Sequence, residues 1–256
     1  MTCAPVARAP AARGAGSIAC VTERRVIAVD GPAGSGKSTA AQGVARALGL
    51  RYLDTGAMYR ALTWWLQSQG LDTSDPGTVA EHAREPVITV GTDPAAPAIA
   101  VDGVDVSGPI RTREVSNAVS AVASVPQVRE HLIAMQREII ARDAGPGGGI
   151  VAEGRDIGTV VAPQAALKVF LTASADARAH RRNADLAADP GVTAELTRDE
   201  QQRRDQADAP QTGVAADAVQ IDSTGLRLAE VIGVITGLAR DRLPGRAQHP
   251  DTARMG

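Results

Sequence analysis

The chain has 256 residues, enough for a real core in one large domain or in a compact domain carrying an insert. Apolar residues make up 44 % and charged residues 22 %, which excludes wholesale disorder, collagen-like repeats and coiled coil. A net charge of -2 excludes a general nucleic-acid or anionic-membrane footprint, and with aromatics at 2 % the core is expected to be built from Ala, Val, Leu and Ile.

The leader Met1 to Arg25 is rich in Ala, Pro, Gly and Arg and lacks a continuous apolar stretch, which argues against a secretory signal. It reads as a disordered extension or as a start assigned too far upstream, with a transit-like peptide as a third reading. The only cysteines, Cys3 and Cys20, both lie there, so no disulfide framework or zinc site is available and a reducing cytoplasm is expected. From Arg25 onward, short apolar runs alternate with helical patterns, the grammar of an α/β domain with a parallel sheet. Val26 to Val29 is a β-branched run closed by Asp30-Gly31-Pro32, hence a buried strand. Ser38 to Leu48 has helical spacing and stops at Gly49. Tyr52-Leu53 is a short second strand, after which Asp54 or Thr55 caps a helix running to about Gln67.

Between about Asp72 and Gly108 prolines punctuate three short runs, Val87 to Val90, Ala98 to Val101 and Val104 to Val106, which suits a small antiparallel insert. Helices are predicted over Thr112 to Ala123 and Gln127 to Ala141. A glycine-rich turn, Gly145 to Gly149, introduces the apolar run Ile150-Val151-Ala152, ending in Glu153. Leu167 to Leu171 is a further strand, followed by helices from Ala173 to about Leu186 and from Thr193 to about Gln206. Val219 to Ile221 and a helix from Leu226 to about Arg240 close the domain, and from Pro244 the tail is polar and expected to fray. No apolar run approaches the roughly 18 residues of a membrane-spanning helix.

Gly31-Pro32-Ala33-Gly34-Ser35-Gly36-Lys37-Ser38 matches the phosphate-binding G-x-x-x-x-G-K-[ST] and stands between a predicted strand and a predicted helix, the context that gives the motif meaning. Glycines let backbone amides converge on phosphate oxygens, and the helix N-terminus adds a favourable dipole. Lys37 would reach the β/γ-phosphates and Ser38 would hold Mg²⁺, with Thr39 completing the site. Lys37 and Lys168 are the only lysines among 27 basic residues, so a lysine here is not background. A nucleoside triphosphate is the expected ligand. Its use is open on this loop alone, although no Asn-Lys-x-Asp is present to read guanine.

Two further stretches end predicted strands, where a doubly wound sheet presents ligands with its carboxyl edge. Leu53-Asp54-Thr55-Gly56-Ala57-Met58-Tyr59-Arg60 carries an arginine that is either a phosphate clamp or a solvated helix residue. Glu153-Gly154-Arg155-Asp156 puts three charges directly after a buried run, which favours a charged site over a plain loop.

Taken with Val106-Ser107-Gly108, Ile110-Arg111-Thr112, the extension to Ile157-Gly158-Thr159-Val160-Val161, and Ala179-His180-Arg181-Arg182, these stretches resemble the bacterial cytidylate kinases, from about Val26 to Arg240. The resemblance implies transfer of the ATP γ-phosphoryl to CMP and dCMP by a nucleoside-monophosphate-kinase fold. That fold has a parallel five-stranded sheet flanked by helices, a small CMP-side insert (about 72–115) and an arginine-bearing lid (about 174–190), between a leader (1–25) and a polar tail (241–256). It implies that Ser120, Arg129 and Asp156 read cytosine, and that Thr55, Tyr59, Arg60 and Arg155 surround the CMP phosphate. Arg204 and Asp208, in an Arg-Asp-x-x-Asp stretch, would serve the CMP ribose and phosphate. Arg178, Arg181 and Arg182 would close over the transferring group, with Lys37, Arg60, Arg155, Arg178 and Arg182 as the catalytic set and His180 an ordinary helix residue. ATP and Mg²⁺ are the implied cofactors, in a cytoplasmic monomer with no nucleic-acid or membrane partner.

One position departs from that pattern. Where the family carries a further arginine before a Pro-Leu pair, this chain has Gln211 in a shorter loop. A lost charge-assisted hydrogen bond costs about 1.5 to 3 kcal/mol, so weakened CMP turnover is expected. The alternatives are a P-loop kinase for another small acceptor, such as UMP or shikimate, and a nucleotide-binding paralogue without turnover.

Overall fold

A computed structural model of the chain describes residues 25–185 and 194–243, the side chains of 182–185 and 194–197 excepted. The expectations for the leader ahead of Arg25, for the Arg182 side chain, for lid residues 186–190 and for the tail from Pro244 lie outside the described residues. The elements run β1 (Val26–Asp30), α1 (Lys37–Leu48), β2 (Arg51–Asp54), α2 (Thr55–Ser68), α3 (Pro76–His82), β3 (Ile88–Val90), β4 (Ile99–Val101), β5 (Val104–Asp105), α4 (Arg113–Ser124), α5 (Pro126–Asp143), β6 (Ile150–Gly154), β7 (Leu167–Thr172), α6 (Ala175–Asp185), α7 (Ala194–Asp208), β8 (Val219–Asp222) and α8 (Leu228–Arg242). Single turns at Pro109–Arg111, Ile157–Val161 and Ala209–Gln211 join some of them.

Every residue of β1 is buried, so this strand needs cover on both faces, which a parallel sheet between two helical layers supplies. Five strands pair in the order β2-β6-β1-β7-β8, all parallel, and the expected sheet is present. Alternate residues of β1 feed two aliphatic cores. Val26 and Ala28 join Met58, Leu62 and Leu66 of α2 and Leu132 of α5, whereas Ile27 and Val29 join Ala41 and Val44 of α1 and Ile235 of α8. Burying each of the larger aliphatic side chains is worth about 1.5 to 3 kcal/mol, so the register of β1 is held strongly from both sides.

Strands β3, β4 and β5 form a separate antiparallel sheet within a residue or two of the three predicted runs. It docks on the rest of the chain through Ile88, Ile99 and Val101, which share the α2 core. The loop after β3 also blunts the open edge of the main sheet: the Tyr52 amide donates to Thr92 O at 3.0 Å, and Gln42 and Arg46 of α1 both donate to Pro94 O. Helix α3 is absent from the sequence reading. Its signal is local, since Asp75 caps it by accepting from the Gly77 and Thr78 amides while Pro76 stands in the first turn, but the apolar pattern is too short to announce a helix.

Candidate active site

The carboxyl ends of β1, β2 and β6 meet at one edge of the sheet. In register, Glu153 lies between Val29 of β1 and Asp54 of β2. Beyond β1 the chain turns through residues 31–36 before α1 begins. Gly34 and Gly36 have φ of +74° and +84°, in the left-handed region that a side chain disfavours. The first intrahelical bond of α1 runs from the Ala40 amide to Gly36 O at 3.0 Å, so the amides of residues 37–39 are donors with no helical partner, as an anion site requires.

Gly31 is fixed by a different neighbour. A Cβ there would stand 2.2 Å from the backbone oxygen of Leu171 on β7, and its φ is +155°. Gly31→Ala therefore pushes β1 from β7, and urea denaturation is expected to show a loss of about 2 to 4 kcal/mol. A loss below about 0.5 kcal/mol would mean that the two strand ends part freely.

Lys37 Nζ donates to Pro32 O at 3.3 Å. Burial, with the Arg155 guanidinium adding to it, brings the ammonium down to about 8, against the opposing pull of Glu153 and Asp54. Ser38 Oγ donates to Glu153 Oε1 at 2.6 Å, and Tyr52 OH approaches the same oxygen at 3.3 Å. Burial and the adjacent Asp54 carboxylate raise Glu153 to about 7, with Lys37 and Ser38 acting the other way. Asp54 also caps α2, accepting from the Ala57 amide at 2.9 Å, and so aims the first turns of α2 into the cleft.

Across from the loop, Thr55 Oγ1 donates to Glu153 O at 2.7 Å. Arg60 donates to Ser116 Oγ at 2.8 Å. Arg155 spans two elements, donating to Gly31 O at 2.6 Å and to Asp208 Oδ2 of α7 at 2.7 Å. Arg129 of α5 pairs with the Asp156 carboxylate, and burial raises the neighbouring Tyr59 hydroxyl to about 12. Ser120 Oγ is buried with no partner.

These groups line one cleft of about 540 Å³. Of the sequence-predicted residues, Ala33, Gly34, Gly36, Lys37, Ser38, Thr39, Thr55, Tyr59, Arg60, Ser120, Arg129, Arg155, Asp156, Arg204 and Asp208 stand on its wall. Gly31, Pro32 and Ser35 belong to the loop but not to the wall. Arg178 lies behind the loop, where it donates to Ala33 O at 3.1 Å and pairs with Asp205 of α7. Arg181 is held in the same way by Ser35 O at 3.1 Å and Ser223 Oγ at 3.0 Å.

The wall also includes Asp54, Arg111 and Gln201, to which the sequence reading gives no role, Glu153, which it places in a charged site without a role, and Gln211, which it places where an acceptor clamp is lost. For Glu153 the signal was present, a charge ending a buried strand, but its partner Ser38 is set by strand register. Among the described residues no group of three or more His, Cys, Asp or Glu is arranged for a metal ion, and no helix is long and apolar enough to cross a membrane.

The family described as cytidylate kinase matches residues 27–241. A cytidylate kinase of Streptomyces griseus is 50 % identical over 221 residues, 85 % of this chain and 93 % of that protein. That of Streptomyces coelicolor is 51 % identical over 225 residues, 86 % and 95 % of the two chains. A third, from Nocardia farcinica, is 44 % identical over 229 residues, 87 % of this chain and 97 % of the other. With a family match over nearly all of the described fold and relatives at about half identity along more than nine-tenths of their own length, the chain belongs to the cytidylate kinase family.

Proposed function

We propose that the chain transfers the γ-phosphoryl group of ATP to CMP and dCMP, giving ADP with CDP or dCDP. The observation that carries this reading is one cleft joining Lys37 and Ser38 of the phosphate loop to Arg60, Arg155 and Arg204, and those to Ser120, Arg129 and Asp156. The relatives' name, cytidylate kinase, supports the same acceptor here.

In this reading the amides of residues 37–39 and Lys37 hold the triphosphate, and Lys37 stabilises charge on the transferring group. Arg60 and Arg155 bind the acceptor phosphate and aim it in line. That oxygen is already ionised, so the residues need remove no proton and no general base is assigned. The Asp156 carboxylate accepts from the cytosine amine while Arg129 and Ser120 serve the O2/N3 edge. Uracil would set a carbonyl oxygen against that carboxylate, which rejects it by repulsion as well as by lost contacts. Arg178, Arg181 and Arg182 belong to a lid that excludes water on closing, for which Arg178 and Arg181 must leave the loop carbonyls they hold here.

Magnesium fits the donor set at the loop, where the Ser38 hydroxyl meets the Glu153 carboxylate with Asp54 beside it, all hard oxygen ligands. When bound, the ion would neutralise charge on the β- and γ-phosphate oxygens. The reading carries with it a cytoplasmic monomer that needs neither nucleic acid nor membrane.

The test is ADP release from Mg·ATP with CMP, dCMP, UMP, AMP or no acceptor. Turnover stimulated by CMP and dCMP well above the rest is expected. ATP binding with silence from every acceptor would instead assign a nucleotide-binding paralogue, and the neutral Gln211 on the acceptor wall would be the first residue to exchange.

A further inference from the structure

Directly after Asp156, residues Ile157–Val161 form a single π-helical turn. Such turns are rare and concentrate at functional sites. Two bonds that span five residues close this one, from the Val161 amide to Asp156 O at 3.2 Å and from the Ala162 amide to Ile157 O at 2.7 Å, and the Val160 amide also reaches Asp156 O at 2.8 Å. Its start is pinned by Asp30, whose two carboxylate oxygens accept the amides of Ile157 and Gly158, each at 2.8 Å. Its end is pinned by Arg137, which donates from Nη2 to Val160 O at 2.7 Å and from Nε to Val161 O at 3.2 Å.

Arg137 is exposed, outside the cleft, and on α5. The same helix carries Arg129, which pairs with the Asp156 side chain. Helix α5 thus grips the segment at two points about 12 Å apart along its axis. Between those points, Arg137 fixes the two carbonyls whose own amides fix Asp156 O. Without that grip the turn can rewind by one residue, the Val161 amide taking Ile157 O, its α-helical partner, from the Ala162 amide that holds it here, and the rewinding would turn Asp156 away from Arg129.

We propose that Arg137 is a positioning residue for base discrimination, holding the π-turn that sets where Asp156 and Arg129 meet the acceptor base. The inference rests on the reading of Ser120, Arg129 and Asp156 as the cytosine-reading group. Displacing a positioned group by about 1 Å costs up to roughly 100-fold, and Arg137 acts through one intervening turn, so an effect of about tenfold is expected.

The experiment measures kcat and KM for CMP and for UMP, and KM for ATP, in the full chain and in its Arg137→Met and Arg137→Lys variants, with a thermal melt of each. Arg137→Met should cut the CMP to UMP ratio of kcat/KM about tenfold, chiefly through the CMP KM, with KM for ATP within twofold of the parent. Arg137→Lys keeps one donor and should fall between. A brace with no part in reading the base would lower the melting temperature and turnover with both acceptors together. A ratio unchanged in both variants therefore overturns the inference while CMP preference in the parent stands. A parent without CMP preference overturns the proposed function and this inference with it. If Arg137→Met does not fold, the ratio in Arg137→Lys decides.

Discussion

Lys37→Met is expected to lower CMP-dependent turnover by about 10³-fold while leaving the nucleotide-free protein at least as heat-stable as the parent at pH 7. The two halves of that expectation come from the same fact. Lys37 is desolvated beside Arg155, which lowers its ammonium to about 8. A lysine whose folded value lies below its free value near 10.5 is charged at a cost at neutral pH, and the fold regains stability only as pH rises from about 8 toward that free value. Methionine keeps the aliphatic stem and removes the charge, so the empty fold gains. The transferring phosphoryl group loses a cation that is partly shielded from water, where it acts more strongly than in bulk solvent. The loss should fall on kcat, since the loop amides and Arg155 still hold ground-state phosphates. A variant retaining more than a tenth of parental turnover, or one whose melting temperature falls by ten degrees, would show that Lys37 serves the loop's structure and not its chemistry.

The parts of this protein legible in its sequence are those whose cause is local. β1 is announced by a run of β-branched residues, and the phosphate loop by glycines at backbone angles that most side chains disfavour. The insert strands are legible because prolines bound them. What depends on a distant partner is not legible. The π-turn at Ile157–Val161 looks like any apolar segment until Asp30 and Arg137 are placed against it. Glu153 ends its strand as an acid should, yet its bond to Ser38 joins residues 115 positions apart and exists only because β6 lies beside β1. The arginines of α6 are a further case. Their spacing marks a charged face, but whether a guanidinium meets a phosphate, a carboxylate or a loop carbonyl is a matter of where α6 rests, and here Arg178 meets Ala33 O and Asp205.

That Glu153–Ser38 bond carries the second large effect. Glu153→Gln should lower turnover about 100-fold or more in the presence of magnesium, with ATP affinity measured without metal changing little. Glutamine has the same shape and can still accept from Ser38 Oγ, so the hydroxyl keeps its place while the negative charge beside it disappears. The fold should tolerate the change well. Burial and Asp54 raise the Glu153 carboxyl from its usual 4.5 to about 7. An acid raised on folding contributes stability that is complete below its free value and is lost as pH rises through the folded one. At pH 8 the parent therefore holds a buried charge at a cost, and at pH 5 it does not. The melting temperature of nucleotide-free Glu153→Gln should exceed the parent's at pH 8 and converge on it at pH 5. Strand β6 would then hold a carboxylate that weakens the empty protein because the loaded one needs it. A variant that turns over like the parent would remove Glu153 from the chemistry. One that is inactive but also less stable at pH 8 would make it a structural tie between β6 and α1.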